Sequence, residues 1–177
     1  MIHDSEIVTK FKTYDVGTVE FGDAVYVTDP CYEPKDSVKL AIAPGTWHIV
    51  KIFYDDTYIV DLAAFAAVND HYYWAGDFDA STLATCGFKV NSTGVDSGQI
   101  TFADAEYYDE HFNNGDCDDE QGFYCKICAI TESDAEGGIL DDKVAAIICG
   151  DGNYPIYTFT NSDGLIVAIS VDLEESP

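Results

Sequence analysis

The stretch Val144–Leu173, VAAIICGDGNYPIYTFTNSDGLIVAISVDL, decides the fold class. Leu165, Val167, Ile169, Val171 and Leu173 form one apolar set, and Ile166, Ala168, Ser170 and Asp172 form the other. A side-chain period of two is the mark of a strand with a buried face, because successive Cβ atoms point to opposite sides of a sheet. Asn161-Ser162-Asp163-Gly164 ahead of it is turn chemistry, with Gly free to take positive φ and Asn and Asp tolerant of it. Ile156–Thr160 is β-branched and aromatic, and Val144–Cys149 is apolar on both faces, as an interior strand would be. With Gly150–Pro155 as the break between them, the stretch predicts a C-terminal three-stranded meander.

Upstream, the same signals recur about every ten residues. Gly17–Phe21 and Asp23–Thr28 read as a hairpin turning at Gly22-Asp23, ended by Asp29-Pro30, where Pro lacks the donor a ladder needs. Pro34 opens a short helix through Leu40. Trp47–Tyr54 and Tyr58–Phe65 read as strands, and residues 66–92 carry no clear pattern. Gly87–Asn91 and Gln99–Phe102 bracket a turn. Asp104 is a good N-cap for a helix to Phe112, and Phe123–Ile130 reads as a strand between two acidic loops, Asn113–Gln121 and Glu132–Asp142. The expected architecture is mainly β: one domain over residues 1–177, an antiparallel sandwich or partly closed barrel with two short helices. Residues 1–16 are expected to form a partly mobile N-terminal segment.

Composition narrows the function. Of 177 residues 47% are hydrophobic, enough for one real core. No run of about 18 apolar residues predicts a membrane span. The opening MIHDSEIVTKF lacks the basic flank and apolar run of a secretory signal, so a cytoplasmic protein is expected. Asp and Glu number 33 against 8 basic residues, every one of them Lys, for a formal charge of −25. Such a surface repels nucleic-acid phosphates and anionic membranes, which argues against either as a direct partner. Basic protein surfaces and cations remain, alongside a plain solubility role.

The motifs Val27-Thr28-Asp29-Pro30-Cys31-Tyr32, Gly45-Thr46-Trp47, Val95-Asp96-Ser97-Gly98-Gln99 followed by Asp104, Gly122-Phe123-Tyr124 and Gly150-Asp151-Gly152-Asn153-Tyr154 come in a characteristic order. In them the chain resembles a bacterial and phage family of unknown function. The resemblance spans nearly the whole chain outside residues 66–92. It implies a shared fold and a bacterial host cytoplasm, and no established activity.

Three constellations carry possible chemistry. Asp29, Asp96, Asp104 and Asp151 each stand at a strand end or tight turn. If they converge, they would attract Mg²⁺ or Ca²⁺ or act as acid and base; if not, each caps a turn. Asp116, Asp118 and Glu120 imitate the start of an EF-hand loop, without its glycine position or bidentate Glu. His111, Cys117, Cys125 and Cys128 fall within eighteen residues and could hold Zn²⁺, with Cys149 as an alternative ligand, although a strand would point Cys125 and Cys128 to opposite faces. The bland alternative is buried reduced thiols. Cys31, with His48 or His71 as base, is a candidate nucleophile lacking local activation, since negative surroundings raise a thiol pKa.

The leading expectation is a non-enzymatic acidic protein that occupies a basic groove on a protein partner, such as a nuclease. With the phage resemblance this suggests an anti-CRISPR or anti-restriction inhibitor. Its contact residues would be Asp116, Asp118, Asp119, Glu120, Glu132, Asp134, Glu136, Asp141 and Asp142. One alternative is a divalent-metal-dependent hydrolase or small-ligand binder using Asp29, Asp96, Asp104 and Asp151. Another is an acidic soluble scaffold without specific activity.

Overall fold

The strands expected from Val144–Leu173 form, but they do not share a sheet. The computed structural model describes residues 11–54, 58–68, 71–72, 88–113 and 120–174. Its strands are β1 (Phe11–Phe21), β2 (Ala24–Thr28), β3 (Val38–Ala41), β4 (Gly45–Tyr54), β5 (Tyr58–Val68) and β6 (His71–Tyr72), then β7 (Phe88–Val95), β8 (Gln99–Asp104), β9 (Gly137–Leu140), β10 (Val144–Ile148), β11 (Gly152–Thr160) and β12 (Ile166–Asp172). Two helices, α1 (Ala105–His111) and α2 (Phe123–Thr131), complete the set. A seven-stranded sheet runs β1-β4-β5-β12-β11-β7 with β6 beside β5, and a five-stranded sheet runs β3-β2-β8-β10-β9. Their strand pairs are antiparallel, and the two sheets make a sandwich rather than a closed barrel.

Between the sheets lies the main core, in which Val19, Val25, Trp47, Ile49, Leu62, Ile100, Phe102, Ile147, Ile156 and Ile169 are fully buried. Each such aliphatic or aromatic side chain contributes about 1.5–3 kcal/mol by leaving water. Trp47 also satisfies its one polar atom, donating from Nε1 to the Ala43 carbonyl at 2.9 Å. The outer face of the five-stranded sheet is covered by the helices, where Tyr26, Ala103, Val144 and Ala146 meet Tyr108, Phe123 and Ile127. The outer face of the seven-stranded sheet carries its own buried cluster at Val50, Ile52, Ala63, Phe65 and Ala168. Burial on both faces is why β4, β5, β10 and β12 read as almost continuous apolar runs.

Several expectations are corrected. β10 lies in the five-stranded sheet and β11 and β12 in the other, so the terminal meander is a hairpin preceded by a crossing between sheets. β1 and β2 likewise belong to different sheets, so the hairpin expected at Gly22-Asp23 is a corner instead. Of the N-terminal segment 1–16, residues 1–10 lie outside the described residues, and 11–16 belong to β1, where 11–15 pair with β4. The helix expected from Pro34 is a single 3-10 turn, Pro34–Asp36, before β3. Phe123–Ile130 is helical, not extended: Phe123, Ile127 and Thr131 are its buried positions, a spacing of four that a helix aligns on one face. The presumed loop Glu132–Asp142 contains β9, so its acidic residues are divided between the two ends of a strand.

Candidate functional site

Four of the five resembling motifs meet at one end of the sandwich. Asp29, directly after β2, is fully buried and accepts four hydrogen bonds. Its Oδ1 takes the Cys31 amide at 2.7 Å and the Ser97 hydroxyl at 2.8 Å, and its Oδ2 takes the Asp96 amide at 2.8 Å and the Ser97 amide at 2.7 Å. Asp96–Gly98 is where the chain crosses from β7 to β8, and Cys149–Asp151 is where it crosses from β10 to β11. The two corners are tied together by the Cys149 and Gly150 amides, which donate to the Gly98 carbonyl at 2.9 and 3.2 Å. Tyr154 closes the second corner, its hydroxyl donating to the Gly150 carbonyl at 3.1 Å. Tyr32 donates to Asp96 at 2.6 Å, and that bond, with burial second, pushes the phenol up to about 12.

This arrangement divides the proposed acidic site. Asp29 binds the Asp96 and Ser97 amides and Asp151 lies beside Gly98 of the same corner, but Asp104 is not with them. Val25 pairs with Asp104, and Asp29 lies four residues further on, about 13 Å away at strand rise. Asp104 does at the far end what Asp29 does at the near one. Its Oδ2 accepts the Gly22 amide at the β1–β2 corner at 2.6 Å, and its Oδ1 caps α1 through the Tyr107 amide at 3.0 Å. Both carboxylates are committed to backbone donors at sheet-to-sheet corners, which is turn-capping extended across the fold.

The structure describes three of the four residues of the expected zinc set, His111, Cys125 and Cys128. Helical spacing puts Cys125 and Cys128 on one side of α2 rather than on opposite faces. Cys128 accepts from the Gln99 side chain at 3.6 Å and, with Cys31, neighbours the Tyr124 hydroxyl, while Gln99 is anchored by Thr131 at 3.0 Å. His111 instead stacks on Tyr107, ring centroids 4.1 Å apart, and hydrogen-bonds the Tyr107 carbonyl through Nδ1 at 2.9 Å. Cys149 is held at the corner by the Gly150 carbonyl. Cys117 lies outside the described residues, and among those residues no three His, Cys, Asp or Glu side chains gather as a metal site requires. Cys31 has its thiol pushed up, chiefly by burial, with Asp29 and Cys128 adding to the effect against Tyr124. His48 sits on the other sheet, bonded to Asp15 at 2.6 Å, so it is not placed to deprotonate Cys31. The side chain of His71 lies outside the described residues.

The acidic contact set is also redistributed. Asp116, Asp118 and Asp119 lie outside the described residues, and with them the EF-hand-like start; Glu120 is exposed. Glu132, Asp134 and Glu136 precede β9, whereas Asp141 and Asp142 follow it, so the four residues of β9 separate the two groups by about 13 Å. Asp141 and Asp142 take φ of 50° and 54°, and the Lys143 amide bonds the Leu140 carbonyl at 2.9 Å. Two successive positive φ values in a two-residue hairpin turn are the type I′ geometry that Asp tolerates. That turn joins an acidic face built on α1. An open groove of about 630 Å³ beside α1 is lined by Asp23, Glu106, Asp109 and Glu110, with Lys39 as its cation. Tyr107 donates to Asp141 at 2.5 Å and Tyr26 to Asp109 at 3.0 Å. The phenols fix the direction of both carboxylates; Asp109 also pairs with Lys39 at 3.8 Å, and Tyr107 orients Asp141 without cancelling its charge. The acids of α1 and Asp23 were not among the sequence candidates; the signal was present as two Glu and an Asp within the seven residues of α1.

Sequence reasoning also passed over Asp61, the lone charge in the apolar strand β5. It is almost fully buried, and the Ser170 hydroxyl lies 2.7 and 2.6 Å from its two oxygens. Burial pushes its carboxyl up to about 8, with Asp172 opposite adding to that and Ser170 opposing it.

No helix among the described residues is long and apolar enough to cross a membrane. No family model matches the chain, and neither does any curated protein or solved structure, so the resemblance rests on its motifs alone.

Proposed function

We propose that the protein is a non-enzymatic acidic binder that docks into a basic groove on a protein partner. The observation that carries this reading is the face around α1. Among the described residues, four carboxylates line one groove against a single lysine, Lys39, which pairs with Asp109 at 3.8 Å, while Tyr26 orients Asp109 and Tyr107 orients Asp141. A preoriented anionic face on a body of charge −25 is steered quickly to a cationic surface and discriminates against acidic ones. The partner class is a protein whose groove is lined by Lys and Arg, as in nucleases that hold nucleic acid. The motif resemblance narrows this to a phage-type inhibitor of a nucleic-acid-targeting nuclease, acting in a bacterial cytoplasm.

The test is capture of such nucleases on the immobilised full chain across a salt series, beside a variant carrying Glu106→Gln, Asp109→Asn and Glu110→Gln. Capture at low salt that falls steeply with added salt, and at least about tenfold weaker binding by the variant, is the expected result. No capture at low ionic strength, or a variant that binds like the parent, would overturn the reading.

A further inference from the structure

Among the described residues, the sandwich is open at the end where β4 and β5 approach their turn. A cavity of about 300 Å³ enters there between the sheets, at the lower end of the size range of small-molecule sites. Phe53 and Ile59 come from the seven-stranded sheet, Ile148 and Cys149 from the end of β10, and Ile59 and Cys149 also pack on the main core. Ile148 is 42% exposed although its strand is otherwise buried, so an apolar wall faces the opening. Among the described residues, two charged groups border it, Lys51 and Glu136.

Lys51 gives the cavity its chemistry. Its ammonium donates to the Ala135 carbonyl at 2.6 Å and lies 5.8 Å from the Phe53 ring centre. An ammonium has three donors, and the Ala135 carbonyl occupies one. Burial lowers the Lys51 pKa against the attraction of Glu136, so a further acceptor at this position would be stabilising.

We propose that this cavity binds a small apolar monocarboxylate, with its carboxylate on Lys51 and its hydrocarbon against Phe53, Ile59 and Ile148. A single anionic group fits because, among the described residues, one lysine faces the cavity and Glu136 would repel a second charge. A polyphosphate would meet that repulsion and the field of the whole molecule. A single-ring or short-chain acid matches the volume. The inference is independent of the acidic face around α1, which draws on other residues.

The experiment titrates full-length, isotope-labelled protein with phenylacetate, phenylacetamide and benzylamine, following backbone amide shifts. Phenylacetate should give saturable shifts centred on Phe53 and Ile148–Gly150. Phenylacetamide should bind about tenfold more weakly, as should phenylacetate to Lys51→Met. Ile148→Trp, a change at an exposed position, should weaken phenylacetate by blocking the mouth, and it tests the cavity even if Lys51→Met does not fold. Absence of saturable binding by phenylacetate, equal affinity for the amide, tighter binding of benzylamine, or no effect of Ile148→Trp would each overturn the proposal.

Discussion

Asp29 and Ser97 stand 68 positions apart in the chain and share two hydrogen bonds, from the Ser97 amide at 2.7 Å and its hydroxyl at 2.8 Å. The contact pins the end of β2 to the corner between β7 and β8, and so holds one sheet to the other. A fully buried carboxylate with four donors leaves all of them unsatisfied when it is removed. Asp29→Ala should therefore lower stability by at least about 3 kcal/mol, and Ser97→Ala, which deletes the hydroxyl alone, by about 1 kcal/mol. Urea unfolding midpoints check the ranking; an Asp29→Ala protein as stable as the parent would refute the clamp.

Asp61 sets a pH dependence of known sign. Its folded pKa, raised to about 8, exceeds the unfolded value near 3.9, so between those pH values the folded state holds a proton that the unfolded state has released. The stability this proton confers is complete below about pH 4 and is lost as pH rises through 8. Asp61→Asn cannot ionise and should remove that slope. It should be close to neutral at pH 4 and more stable than the parent by a few kcal/mol at pH 9, on the order of the penalty for a buried charge. Parallel stability–pH curves for the two proteins would contradict this.

Cys149 should resist alkylation. Burial first, then Asp29 and Asp151, push its thiol up to about 12, which leaves little thiolate at pH 8. Its reaction with iodoacetamide should be on the order of a hundred to a thousand times slower than that of a free cysteine. Peptide mass spectrometry after timed labelling reads this directly, and rapid labelling of Cys149 in folded protein would contradict the environment described.

Gly137 opens β9 with φ of 153°, and a Cβ there would stand 2.7 Å from the Ala146 carbonyl oxygen. Backbone, not a flexible side-chain tip, meets the added carbon. Gly137→Ala should cost about 2–4 kcal/mol and loosen β9 from β10. Hydrogen exchange should accelerate at the β9 and β10 amides before those of β4 and β5; uniform protection would argue against the clash.

The site was partly legible before any contact was known. Asp104 reads as an N-cap from its position before Ala105, because that bond is local. Asp29 reads as a turn-former from Asp-Pro, but three of its four bonds come from Asp96 and Ser97, which no local rule connects to it. The acids of α1 were overlooked in favour of two denser acidic runs. Whether acids form a face depends on what lies between them: β9 splits one run, while the β9–β10 turn brings Asp141 to Tyr107.

The chain alone determined that most of its segments are extended, since a period of two and Gly-Asp or Asn-Ser-Asp-Gly breaks act over a few residues. Those same signals also marked where strands end. What the tertiary structure decided was the sheet each strand joins, with β1 and β2, or β10 and β11, parting at a corner that a hairpin turn would resemble in sequence. It also decided that Phe123–Thr131 is a helix, because nine residues with apolar positions on every side satisfy both periods until a sheet face is present to select one. Local sterics specify the kind of element; burial against distant partners specifies its place, and the face a partner would meet is set there too.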